Sequence, residues 1–217
     1  MKSSPGSSLS RDREGAVLGS NLPRSFYSRP TVEVAKDLLG KILVHRIGKT
    51  TLAGKIVEVE AYLGLDDLAA HASRGLTSRT RVLFGPPGHA YVYLIYGMYE
   101  CLNLVAEPDG TAGCVLIRAL EPVGGIEEMR RRRPAARRLE DLASGPGKLT
   151  LAMGISRRHN GQDVTRGPLV VRGPARPKPI VIVTTPRVGV THCADWPLRF
   201  YVGENRYVSH TPRRSLR

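Results

Sequence analysis

Cysteine is scarce in this chain. Only Cys101, Cys114 and Cys193 occur among its 217 residues. Three scattered cysteines exclude a disulfide framework, and no pair has metal-ligand spacing. The expectation is a reducing compartment, with Cys101 and Cys114 as small core residues in strand-like runs. Long apolar runs are missing too, which excludes a transmembrane helix, and the N-terminus lacks the apolar core that a signal peptide needs. No serine elbow, zinc set or internal repeat is present. Negative charge is in short supply: 19 Asp and Glu stand against 33 Lys and Arg, for a formal charge of +14. That imbalance points to a polyanionic partner, with nucleic acid the first candidate. It does not separate DNA from RNA, or a binder from an enzyme.

What is present fits one mixed α/β domain. Residues 1–25, rich in Ser, Gly and charge, are expected to be a disordered tail; 26–208 are the domain, and 209–217 a basic tail. Thr31 as N-cap, an apolar face of Val34, Ala35, Leu38 and Leu39, and Gly40 as the stop predict a helix. Further helices are predicted over 66–73, over 126–133 (running into four arginines), and after Ser144-Gly145-Pro146-Gly147-Lys148. The last stretch has the wrong spacing for a P-loop, but its glycines and Lys148 suit a phosphate. The arginine run reads as a solvated helix end. Strands are predicted over 42–45, 55–62, 101–105, 114–120, 169–172, 180–184 and 198–202. Residues 91–103 form a β-hairpin with Tyr96, Gly97 and Met98 at its tip. Two readings of that tip stay open: exposed for a partner, or folded back into the core.

Alternation over 55–62 places Val57, Val59 and Ala61 on one face and Glu58, Glu60 and Tyr62 on the other. Over 114–120, Cys114, Leu116 and Arg118 share a face opposite Val115, Ile117 and Ala119. An arginine in so apolar a strand needs a partner, and Glu60 can supply one. A paired, ionised carboxylate can take a proton from water. With Tyr62, His71, Tyr93 and Asn103 nearby, the pattern allows a water-activating pocket for a stacked nucleobase. A binding-only nucleic-acid protein accounts for it equally well.

Several motifs then occur in a fixed order: Val59-Glu60-Ala61-Tyr62, Ala69-Ala70-His71, Gly85-Pro86-Pro87-Gly88, Tyr91-Val92-Tyr93, Tyr96-Gly97-Met98, Cys101-Leu102-Asn103, Leu116 to Pro122 and Ser144 to Leu149. From about Ser28 to about Val202 the chain closely resembles the alkyladenine (3-methyladenine, methylpurine) DNA glycosylase family. The resemblance implies an α+β fold: a single mixed domain with a curved antiparallel β-sheet, flanking helices and a protruding β-hairpin. It implies a monomer with no metal or cofactor and no membrane partner. Its substrate would be double-stranded DNA containing damaged purines. Such an enzyme is a monofunctional base-excision repair glycosylase. It flips alkylated or deaminated purines (3-methyladenine, 7-methylguanine, hypoxanthine, ethenoadenine) out of the duplex and hydrolyses the N-glycosidic bond, leaving an abasic site. Flipping is forced, because the bond is unreachable while the base is stacked.

The roles implied by the resemblance are specific. Glu60 matches the general base, with Arg118 and the Val188 carbonyl holding its water. Tyr62 matches one stacking wall, His71 and Tyr93 the other. Main chain near Ala69 and His71 would read the base edge, and Asn103 would disfavour the guanine 2-amino group. Tyr96 matches the wedge that enters the minor groove, with Met98 beside it. Arg79, Arg81 and Lys148 are DNA-backbone candidates. The sequence departs from the family at Thr80, often Asn there, and at Leu83, often Met, a swap of similar volume. The run 130–138 and both tails carry no role. A bacterial source would imply a nucleoid-associated cytoplasmic enzyme, a eukaryotic one a nuclear enzyme. The competing readings are a catalytically silent lesion binder and an RNA-directed protein.

Overall fold

Period-two alternation of apolar side chains builds the longer segments of the chain as strands. The computed structural model describes residues 18–209. Among these, nine strands form one open antiparallel sheet. They are β1 (Leu18–Asn21), β2 (Ile42–Ile47), β3 (Thr50–Tyr62), β4 (Ala90–Ile95), β5 (Tyr99–Val105), β6 (Cys114–Gly124), β7 (Leu169–Pro174), β8 (Ile182–Thr185) and β9 (Arg199–Val202). The order is β1-β7-β2-β3-β6-β5-β4, and β9, carrying β8, pairs with the second half of β3. Helices α1 (Arg24–Tyr27), α2 (Thr31–Leu38), α3 (Ile126–Arg132) and α4 (Pro146–Met153) complete the α+β domain. Among the described residues, no helix is long and apolar enough to cross a membrane.

Helix α2 buries Val34, Ala35 and Leu38 in the main core, where they join Ile56, Val59 and Ala61 of β3. Its start differs from the expectation. Thr31 lies inside the first turn, and Glu107 takes the cap's place, accepting from the Thr31 amide (2.6 Å) and hydroxyl (2.7 Å). The stretch 66–73 is also not a helix. Asp67 accepts from the amides of Leu63 and Ala69 (3.1 Å each), and this local bonding competes with helix formation. Only a short 3-10 turn, His71–Arg74, follows.

Order begins earlier than composition implies. Leu18–Asn21, within the stretch read as a tail, pairs with β7, and the Asn21 amide donates to the Thr165 carbonyl at 2.9 Å. Its partners lie far along the chain, so no local pattern announces it. Residues 1–17 and 210–217 lie outside the described residues.

The long β3–β6 ladder breaks its own alternation at one point. Ile56 faces Leu120 and Val59 faces Ile117, but between them the only pair is Glu58 with Ala119. Each strand therefore turns two consecutive residues away from the main core. Val57 and Ala119 pack under Tyr207, while Glu58 and Arg118 meet each other. This corrects the expected faces: Ile56, Val59 and Ala61 share the core, and Val57 and Ala119 do not.

Candidate active site

The irregularity gathers charge on the outer face of β3 and β6. Glu60 is fully buried, accepts two hydrogen bonds and is ion-paired with Arg118. Its Oε1 takes Arg118 Nη1 at 3.2 Å and the Val188 amide at 2.7 Å; its Oε2 takes the Tyr62 hydroxyl at 3.0 Å. Arg118 turns its Nε to Glu58 Oε1 (3.0 Å). Glu58 is a hub in its own right, accepting from Arg199 Nε (2.7 Å), the Ser209 amide (2.7 Å) and the Ser209 hydroxyl (2.8 Å). Burial opposes the charge on Arg118, but the carboxylates of Glu60 and Glu58 outweigh it and raise its pKa. Burial, and then the Glu60 charge, push the Tyr62 phenol well above its ordinary pKa, so it stays a donor.

Tyr62, Arg118 and Val188 line a cavity of about 960 Å³, with the buried Glu60 behind them. The His71 and Tyr93 rings meet edge to face, their centroids 4.5 Å apart. His71 Nδ1 lies 2.9 Å from the Tyr91 hydroxyl. Burial, with Arg79 and Arg74 adding to it, lowers the His71 pKa to about 4, so the ring is neutral at physiological pH. Asn103 is buried on β5. Its amide donates to the Tyr91 carbonyl (3.2 Å), and its Oδ1 faces Cys114 Sγ at 3.8 Å. Burial pushes the thiols of Cys101 and Cys114 up to about 11 and about 12, which leaves them protonated.

The hairpin tip is not folded back into the core. Tyr96 and Met98 are 79% and 66% exposed. Tyr96 (φ 52°) and Gly97 (φ 70°) both adopt the left-handed conformation, and the Met98 amide closes the turn on the Ile95 carbonyl at 3.2 Å. Glycine enters that region freely; a tyrosine there is strained. Tyr96 and Tyr99 line the same cavity, as do Gly145 to Lys148. Gly147 is needed at that point, because a Cβ there would lie 2.9 Å from Tyr99 side-chain atoms.

The expected site residues are not all brought together. Ala69, His71, Tyr93, Asn103, Tyr96, Val188 and Lys148 share the cavity. Arg79 is exposed, with its guanidinium 5.4 Å from the centre of the Tyr93 ring. Arg81 lies outside the lining, in the exposed first position of the 3-10 turn Arg81–Phe84. Thr80 is buried and ties its loop to the Gly75 carbonyl at 2.8 Å. Arg132 and Arg133, of the run given no role, reach the rim; Arg132 also pairs with Glu128 at 2.9 Å. Sequence reasoning missed Glu58's partners Arg199 and Ser209, and the pair Asp67–Arg187. A charged residue placed among apolar neighbours was the only available signal.

A buried carboxylate–arginine pair behind an aromatic-walled cavity, on a strongly basic α+β domain with an exposed aromatic tip, is the layout of an enzyme that works on nucleic-acid bases. The chain belongs to the methylpurine-DNA glycosylase family, whose model matches residues 25–206, and it is accordingly a DNA glycosylase. A protein of Methanoculleus marisnigri is 58% identical over 191 residues, covering 87% of this chain and 98% of the relative. Another, of Methanocella arvoryzae, is 57% identical over 185 residues, covering 83% and 91%. A third, of Legionella pneumophila strain Lens, is 49% identical over 193 residues, covering 88% and 98%. All three are assigned by name as 3-methyladenine DNA glycosylases.

Proposed function

We propose that this enzyme is a monofunctional glycosylase acting as a monomer. It flips alkylated and deaminated purines (3-methyladenine, 7-methylguanine, hypoxanthine and ethenoadenine) from duplex DNA. The observation that carries the reading is Glu60, held at once by Arg118, the Val188 amide and the Tyr62 hydroxyl. A carboxylate has roughly four lone-pair sites; the two hydrogen bonds leave one on each oxygen, and with Arg118 paired at Oε1 the site on Oε2 is open to a water. Glu60 takes a proton from that water as its oxygen attacks C1′. The glycosidic electron pair leaves with the purine. The Val188 carbonyl and Arg118 hold the water. Tyr62 stacks on one face of the base, His71 and Tyr93 on the other. Main chain at Ala69 and His71 reads its edge, and Asn103 crowds a 2-amino group. A 3- or 7-alkylated purine carries positive charge and departs neutral, so it needs no acid, and a neutral His71 adds no repulsion. Tyr96 fills the gap in the stack, Met98 packs beside it, and Arg79, Arg81 and Lys148 contact phosphates.

The test is base release from methylated duplex DNA without added metal. Wild-type protein is expected to free 3-methyladenine. Glu60→Gln should slow release by at least roughly 100-fold while still binding damaged duplex. Undiminished release by that variant would refute the role of Glu60. Tight lesion binding without release of any alkylated or deaminated purine by the wild type would favour a silent binder.

A further inference from the structure

Asp67 and Arg187 have no part in the chemistry just described, yet their side chains are completely buried. The pair is bidentate: Arg187 Nη1 meets Asp67 Oδ2 at 2.5 Å and Nη2 meets Oδ1 at 2.8 Å. Burial opposes the charge on Asp67, but its bonds from Arg187 and the Leu63 and Ala69 amides prevail and keep its pKa below the carboxylate norm. A buried ion pair adds little to stability, since its desolvation offsets most of the attraction. Its neighbours suggest another reason for it. Arg187 donates to the Ala61 carbonyl at 3.1 Å, and its guanidinium stands 4.7 Å from the centre of the Tyr62 ring. The next residue, Val188, gives its amide to Glu60. At the other end, Asp67 holds the Ala69 amide.

We infer that Asp67 and Arg187 are positioning residues that set Glu60's loop partner Val188, the ring of Tyr62 and the main chain at Ala69 in one frame. The inference rests on the reading of those three as water-holding, stacking and base-reading elements. In that frame the corner that activates water and the wall that recognises the base cannot move independently. Removing the pair misplaces both together, although neither residue touches the DNA.

The test uses the full chain with Asp67→Asn, Arg187→Lys and Asp67→Glu. Single-turnover release of 3-methyladenine from methylated duplex, with enzyme in excess, is measured beside affinity for undamaged duplex. Asp67→Asn should slow release about 100-fold, the usual result of misplacing groups by an ångström, with undamaged-DNA affinity unchanged. Arg187→Lys keeps the charge but loses the planar fork and should fall about 10-fold. Amide hydrogen exchange supplies a readout free of activity: protection at Val188 and at Ala69 should drop together, by about 10-fold or more, while β2 is unaffected. Wild-type rates in a folded Asp67→Asn protein overturn the inference, as does loss of protection at Ala69 alone. If Asp67→Asn does not fold, unchanged rates in both Arg187→Lys and Asp67→Glu overturn it instead. Should wild-type protein release no base, the proposed function fails, while joint exchange at Val188 and Ala69 still decides the coupling.

Discussion

Replacing Tyr96 separates folding from lesion capture. The residue is 79% exposed, so truncation removes little buried area, and its φ of 52° is strained for any residue with a Cβ. Tyr96→Ala keeps the strain and should shift stability by no more than about 0.5 kcal/mol, as exposed substitutions do. Tyr96→Gly releases roughly 1–2 kcal/mol of left-handed strain and gives back about 0.5–1 kcal/mol of unfolded-chain entropy. It should therefore be as stable as the wild type or up to about 1.5 kcal/mol more so, a rise of about 3–6 °C in melting temperature at most. Binding should move the other way. An aromatic stacked in the gap left by a flipped base contributes about 1–3 kcal/mol, so either variant should bind a lesion duplex roughly 5- to 150-fold more weakly. Fluorescence anisotropy on lesion-containing and undamaged duplexes, beside thermal melts, reads both quantities. A fall of more than about 5 °C for Tyr96→Ala would mean that the tip packs in solution. Unchanged lesion affinity in a folded variant would remove the wedge.

Two further outcomes follow from local geometry. His71 has a folded-state pKa near 4, below its ordinary 6.5, so the unfolded chain takes up the proton first. Its contribution to stability is complete above pH 6.5 and is lost as pH falls through 6.5 toward 4; denaturant midpoints at pH 7 and pH 5 should fall further for wild type than for His71→Asn. Gly147→Ala should overpack Tyr99 by about 1–3 kcal/mol, against up to about 1 kcal/mol of helix propensity, and so lower the melting temperature by a few degrees.

Much of the scaffold was legible because its signals are local. Helix α2, the hairpin and the long strands follow from periodicity and from glycines at turns; the extra length of β3 over its predicted range reflects pairing with β2, and that of β6 pairing with β3. Glu60, Arg118 and Tyr62 stood out as polar residues in apolar strands. Less legible were features that depend on distant partners. β1 owes its order to β7, and Arg187 reaches Asp67 across 120 positions of sequence. The stretch 66–73 misled because acidic residues at a helix start and an Asp that binds its own neighbourhood look alike in sequence. The faces of 55–62 misled because alternation assumes an unbroken ladder.

That break in the ladder restricts how the family can change length. Ile56 and Val59 both point into the core, as do Leu120 and Ile117 on the facing strand, so each strand carries one residue more than strict alternation needs. Loss of one residue from either strand alone would dislocate the register between Glu60 and its arginine. Only matched losses, one from each strand, would keep Glu60 and Arg118 within reach of each other, and these would strip the contact under Tyr207. Insertions and deletions should therefore collect in the connecting loops, and this short segment should hold its length.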